Sequence, residues 1–186
     1  MADAVAPAWQ RLRGYWTHDD PQASLANFVA LIVVWNQPFY PLYVWWAAGP
    51  QIWPSYYTFL STPFFAAVPA VMRRNTRAGR ALLVVAGVAN TALTAKAFGV
   101  ASAVEAFLIP CALLAAILFR PAERLLSFAL VAVCLAVFMG MHGRYGAPFH
   151  VYGEAEYAAL LTLNATSAGL LTAVIGFLAA KLIGRN

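Results

Sequence analysis

Charge is what this chain has least of. Asp, Glu, Lys and Arg make up 10% of its 186 residues, with seven carboxylates in all, whereas soluble domains carry roughly a quarter. The hydrophobic share is 62% and the mean hydropathy +0.69. A soluble domain of this length has no means of hiding so much apolar surface; a bilayer removes the difficulty by acting as the solvent. Cysteine is equally scarce. Cys111 and Cys134 are the two present; they make no disulfide framework and fit no zinc spacing. Both fall inside apolar runs, where a thiol serves as a small filler. Of the three histidines, no two lie mid-run on different helices, the arrangement by which membrane proteins hold a b-type haem. No P-loop, dinucleotide fingerprint, zincin His pair or nucleophile elbow is present. The mid-run positions supply only Asn, Ser, Thr, Tyr and Cys, which is no convergent acid, base or nucleophile set. An enzyme is therefore not expected, and neither is a cofactor.

What is there is a series of apolar runs: Leu25 to Trp46, Tyr56 to Met72, Ala81 to Ala97, Val104 to Phe119, Leu125 to Met141 and Tyr157 to Ile183. A helical span needs about 20 apolar residues, and the runs lack the period-2 alternation of barrel strands. The second run carries Pro63 and Pro69 and the fourth Pro110, so kinks are expected there. Basic residues alternate with the runs. Arg11 and Arg13 precede the first; Arg73, Arg74, Arg77 and Arg80 separate the second from the third. Arg120 and Arg124 separate the fourth from the fifth, and Lys181 and Arg185 close the sixth; the other connections hold only Lys96 and Arg144. Basic loops stay in the cytoplasm. The expected fold class is therefore all-α: a polytopic membrane protein of six transmembrane helices with both termini cytoplasmic. Residues 1–24 form a cytoplasmic or interfacial segment and 25–183 the membrane domain. The net charge of +5 meets anionic headgroups rather than nucleic acid.

The first 21 residues have no apolar core, and the first run is long and aromatic, so it reads as an uncleaved signal anchor. Trp45, Trp46, Trp53, Tyr56 and Tyr57 form an outer aromatic belt; Trp9, Tyr15 and Trp16 lie near the inner interface. With Arg11 and Arg13 they describe a segment lying on the inner membrane surface. His18-Asp19-Asp20-Pro21 reads as a helix start.

Polar groups inside spans are costly and mark function or helix contacts. The segment from Asn36 through Gln37, Pro38, Tyr40 and Pro41 to Tyr43 interrupts the outer half of the first run. Its prolines free backbone carbonyls and open the helix, and irregular backbone at that depth requires cover by protein or a wet cavity. A structural kink and a binding site are both compatible with it. Asn90 and Asn164 read as helix-to-helix hydrogen bonds. Lys96 and Glu105 face each other across a short outer turn, as an ion pair or as the lining of an outward pocket. His142, Arg144, His150, Glu154 and Glu156 form the densest polar cluster. It is a solvated loop, a proton sensor or, with Met139 and Met141, a set of soft donors for Cu(I). The candidate ligand-binding residues are Asn36, Tyr40, Lys96, Glu105, His142, Arg144 and His150.

The six-span plan, the Asn36–Tyr43 stretch and the His142–Glu156 loop together resemble the N-terminal membrane modules of bacterial signalling proteins, which precede nucleotide cyclase, diguanylate cyclase or histidine kinase domains. The resemblance covers most of the chain. It implies a non-catalytic sensor in the bacterial inner membrane that binds a small or lipid-like ligand near the outer side and signals through the sixth helix. Some such modules bind haem through several intramembrane His, a set this chain lacks. No output domain follows Asn186, so the expectation is a membrane portion of a longer protein or a stand-alone relative. The partners implied are lipids, a cytoplasmic signalling domain or protein, and a second copy of the chain. A small transporter or channel is the alternative, with a polar path from Asn36 through Asn90 and Asn164. An accessory subunit of a larger complex, with haem b as its redox centre, is a third.

Overall fold

The computed structural model describes residues 8–182 and is all-helical, without a strand among them. Helix α1 (Ala8–Trp16) precedes α2 (Pro21–Asn36), which runs through a 3₁₀ turn at Gln37–Phe39 into α3 (Tyr40–Ala48). A 3₁₀ stretch, Trp53–Ser61, leads into α4 (Thr62–Arg74). Then follow α5 (Thr76–Phe98), α6 (Leu108–Ile117) after a short turn Val104–Phe107, α7 (Arg124–Met141) and α8 (Glu154–Leu182). Among the described residues, four helical stretches are long and apolar enough to cross a membrane: Pro21–Ala48, Thr76–Phe98, Pro121–Met141 and Glu154–Lys181. The second and fourth apolar runs form shorter helices between them.

Local chemistry sets the boundaries. The Asp20 carboxylate accepts from the backbone N–H of Gln22 and Ala23, and Pro21 opens the first turn, where its missing N–H costs nothing. The helix start expected from the sequence is thus in place. Asn75 caps α5 through the Ala78 N–H. At Pro38 and Pro41 the outcome differs from the expected opening. The chain stays helical and tightens into one 3₁₀ turn, with the Tyr40 N–H on the Gln37 carbonyl. A 3₁₀ turn accommodates the prolines without unwinding because the interruption is only one turn long.

Contacts between chain-distant residues sort the connections into two ends. At one end Arg73 donates to the Gly14 carbonyl at 2.6 Å and lies over the Tyr15 ring. Arg77 pairs with Glu123 at 3.1 Å, and Arg120 pairs with Asp20 at 2.5 Å. At the other, the Tyr152 hydroxyl donates to the Gln51 carbonyl, the Phe149 N–H to Ala97, and Trp53 stacks on Phe149. The basic turns therefore gather at one end of the bundle, called the inner end; the end marked by Gln51, Phe149 and Tyr152 is called the outer one. Helix α1 is fastened to α4 at the inner end by the Tyr15 hydroxyl on the Ala66 carbonyl, and Trp16 packs against the main core. The side chains of Trp9 and Arg11 lie outside the described residues.

One of the basic residues is not a solvated loop charge. Arg80 is 1% exposed. Its guanidinium donates to the Leu118 carbonyl at 2.6 Å, the Thr76 carbonyl and Glu123, and faces the Phe119 ring. A buried guanidinium is tolerated because its donors are matched by fixed acceptors and a carboxylate. The signal was in the register. From Arg80 the positions three and four further on are the buried Leu83 and Val84, and the seventh is Gly87, which faces Cys111; this is the inward stripe of α5.

Candidate functional site

The candidate site is a cavity of about 340 Å³ inside the bundle, walled by α2, α3, α4, α5, α6 and α8. Its outer half is polar. Asn36, Gln37 and Tyr40 come from the first helix around the 3₁₀ turn, Thr58 from the stretch before α4, and Asn90, Thr91 and Thr94 from successive turns of α5. The inner half is apolar, lined by Val29, Phe65, Leu83, Leu114, Leu171 and Val174. Among the described residues, no Asp, Glu, Lys, Arg or His lines it.

The 3₁₀ turn is what points Gln37 inward. Its amide nitrogen donates to the Thr58 carbonyl at 2.9 Å and the Ser61 hydroxyl at 2.6 Å; its oxygen accepts from Thr62 at 2.6 Å. Ser61 in turn lies 2.9 Å from the Asn90 amide oxygen. The first helix, the α4 entry and α5 are thereby joined by side chains across the outer half of the bundle. Gln37 is buried and fully engaged, whereas among the described residues no hydrogen bond reaches the Asn36 amide, and the Asn90 amide uses one edge only. Thr91 and Thr94 donate back to the carbonyls of Gly87 and Asn90, leaving their oxygens as acceptors.

Tyr40 has a different partner. Its hydroxyl donates to Asn164 on α8 at 3.0 Å, and the Asn164 amide nitrogen donates to the Ser102 carbonyl at 2.9 Å. Asn164 is completely buried. Tyr40 also meets Phe98 edge to face. The expectation that Asn90 and Asn164 bond between helices holds for both.

The other sequence candidates sit at the outer end, apart from the cavity, and of these Glu105 and His142 meet. Glu105, 6% exposed, pairs with His142 Nδ1 at 2.6 Å. The expected Lys96–Glu105 pair is absent. Lys96 instead donates to the Ala147 carbonyl at 2.6 Å and faces the Phe149 ring. The outer loop folds back over the end of α5 and supplies that carbonyl, while His142, at the end of α7, claims the carboxylate. The second Glu105 oxygen and the Tyr145 hydroxyl are buried without a hydrogen-bond partner. Burial, and then the Glu105 carboxylate beside it, push the Tyr145 phenol up to about 12. Arg144 is exposed, with one long contact to the Gly140 carbonyl. His150 meets the Tyr152 ring edge to face at 4.6 Å. Glu156 accepts from the Gly153 N–H at the start of α8. Of the seven candidates, Asn36 and Tyr40 line the cavity, Glu105 and His142 form their own pair, and Lys96, Arg144 and His150 are separate. No cluster of three or more His, Cys, Asp or Glu with metal-binding geometry occurs among the described residues.

Sequence reasoning left out of the site Gln37, Thr58, Thr91 and Thr94, which build its polar wall, and Ser61, which holds Gln37 and Asn90 in place. The α5 spacing of Thr91 and Thr94, one and four positions on from Asn90, was the available signal. Asn27 was also missed. It is 1% exposed in the inner core, with its amide oxygen unpartnered.

No family model, curated protein or solved structure matches this chain.

Proposed function

We propose that the protein is a non-catalytic sensor module of six membrane spans with both ends in the cytoplasm. It holds a small ligand in the cavity and passes the state of that site to α8. The observation that carries this reading is the meeting of cavity and tie at one residue: Tyr40 lines the cavity and hydrogen-bonds α8 through Asn164. A ligand can shift an equilibrium only through contacts that differ between two states; Tyr40 joins such contacts to the last helix by a hydrogen bond, beside the α8 side chains Leu171 and Val174 that wall the cavity themselves.

The gathering of Arg73, Arg77, Arg80 and Arg120 at one end supports the cytoplasmic assignment of that end. The shorter α4 and α6 complete the six spans when taken with the 3₁₀ stretches preceding them. A through-going polar path is disfavoured by the apolar inner half of the cavity and by Arg80, which closes the bundle below it. Asn164 is consumed by Tyr40 and Ser102 instead of continuing such a path.

Native mass spectrometry of protein extracted from its own membrane tests the reading. Wild type is expected to carry a bound small molecule, and Leu171→Phe, which fills the cavity from α8, to lose it. Identical spectra for the two proteins contradict it.

A further inference from the structure

The ligand class follows from the cavity's charge, its polarity gradient and its open side. The α4, α5 and α6 walls are largely enclosed: Phe65, Leu83, Thr91, Thr94, Cys111 and Leu114 are buried, and Gly87 and Asn90 are partly so. The exposed lining residues are elsewhere. Asn36 is exposed on the first helix, and Leu170 and Val174, 62% and 39% exposed, face outward on α8. The cavity thus opens sideways, between the first and last long helices. Above the opening the two helices are tied by Tyr40 and Asn164. Below it Ile175, fully buried in the inner core, draws α8 back onto the bundle. A window framed in this way leads into hydrocarbon, not into water.

Three constraints then apply to what enters. First, no ionised side chain lines the cavity, and an unpaired charge brought from lipid into such a site has nothing to offset its desolvation. Second, the side-chain amides with free valence, Asn36 and the open edge of Asn90, are both in the outer half, beside the Thr91 and Thr94 acceptor oxygens; the Tyr43 and Ser167 hydroxyls also reach the cavity. The inner half, at Val29, Phe65, Leu83, Cys111, Leu114, Leu171 and Val174, offers no side-chain oxygen or nitrogen. Third, a volume of about 340 Å³ lies at the low end of the roughly 300–1,000 Å³ range of small-molecule sites. That admits one short amphiphile.

Resting on the reading of the cavity as the ligand site, we propose that its ligand is an uncharged, membrane-dissolved amphiphile with a carbonyl or hydroxyl head. It enters sideways between α2–α3 and α8. The head hydrogen-bonds the Asn36 and Asn90 amides, and the tail lies inward along Leu83, Leu114 and Leu171. Both amides carry a donor and an acceptor, so a ketone and an alcohol satisfy them alike, whereas a carboxylate meets no cation.

The test uses the full chain in lipid nanodiscs and two photoreactive probes of equal chain length, a diazirine-bearing fatty alcohol and the corresponding ionised fatty acid. Cross-linked peptides are mapped by mass spectrometry. The alcohol is expected to label the segments around Asn36 and Leu170. Labelling should fall about tenfold in Asn36→Leu/Asn90→Leu, the loss of two hydrogen bonds at on the order of 0.6 kcal/mol each or somewhat more. It should be abolished in Leu171→Phe. The single variants Asn36→Leu and Asn90→Leu, each expected to show part of that loss, keep the assay decisive where the double variant fails to fold. Equal or preferential cavity labelling by the fatty acid overturns the uncharged class while leaving the cavity as a ligand site. Labelling by neither probe, with Leu171→Phe more thermostable than wild type, overturns both, because a dry unused cavity is improved by filling. Alcohol labelling unchanged in the asparagine variants overturns the assignment of the head group.

Discussion

The Tyr40 hydroxyl donates to the Asn164 amide oxygen at 3.0 Å, across 124 residues of sequence. This bond ties the first long helix to the last one beside an internal cavity. Such hydrogen bonds are worth on the order of 0.6 kcal/mol in a membrane, so the tie is weak enough to be broken by a ligand. Tyr40→Phe is expected to lower stability by roughly that amount while leaving insertion intact. Thermal unfolding in detergent checks this. A loss of several kcal/mol would make Tyr40 a core residue and not a switchable contact.

At the basic end, Arg80 and Glu123 meet at 3.1 Å with side chains 1% and 9% exposed. Removing Glu123 strands the buried Arg80 guanidinium, a loss of about 3–5 kcal/mol. Glu123→Leu is expected to show it. The double change Arg80→Met/Glu123→Leu should recover part of it, because the stranded guanidinium is then gone, but not all, because Glu123 also holds Arg77. Denaturant unfolding of the two singles and the double gives the coupling.

Acid should weaken the same end through Asp20. Burial raises its carboxyl, but the N–H groups of Ala23 and Gln22 and the charges of Arg120 and Arg80 outweigh that and hold it below its ordinary 3.8. A carboxyl lower in the folded than in the unfolded state stabilises fully above its unfolded value. That contribution fades as pH falls through the folded one. Asp20→Asn keeps an effective cap but loses the Arg120 pair. Its melting temperature should therefore fall less on acidification than that of wild type. Parallel acid limbs would contradict the assignment.

At the outer end, His142→Ala leaves Glu105 buried and unpaired and is expected to destabilise by about 1–3 kcal/mol. Arg144→Ala should remain within about 0.5 kcal/mol, as for any exposed side chain without firm contacts. Equal effects from the two changes would mean that the Glu105–His142 pair contributes nothing.

Topology is open to cysteine labelling in intact cells, after replacing Cys111 and Cys134. Cysteines at the exposed positions Gln51, Ala101 and Val151 should react with an impermeant reagent from outside. Cysteines at Arg77 and Arg124 should react only after permeabilisation. Reaction of position 77 from outside would invert the orientation drawn from the basic turns.

That the described residues are all-helical, with several helices apolar enough to cross a membrane, was readable from the sequence, because apolar runs report directly on the solvent a segment needs. The cap at Asp20 was readable for the same local reason. What one dimension hides is pairing. Lys96 and Glu105 are near neighbours in sequence across a turn, yet each found a partner from the outer loop and its flanks, Ala147 and His142. Asn36 and Tyr40 were recognisable because prolines marked their segment. Ser61 and Thr94 look like ordinary small polar residues until helix register brings them beside Gln37 and Asn90. Arg80 was hidden by its company: three solvent-facing arginines surround the one that turns inward.

The measurement closest to the central claim is the distance between the basic turn and the inner end of α8, read by pulsed electron paramagnetic resonance from spin labels at Arg77 and Lys181. Both positions are exposed. If cavity occupancy is passed to α8 through Tyr40, then Leu171→Phe and Tyr40→Phe should each shift the distance distribution by about 1–2 Å, the scale of a helix shift. The double variant should shift no further than the larger of the two. Distributions superimposable on wild type in all three proteins would contradict the account.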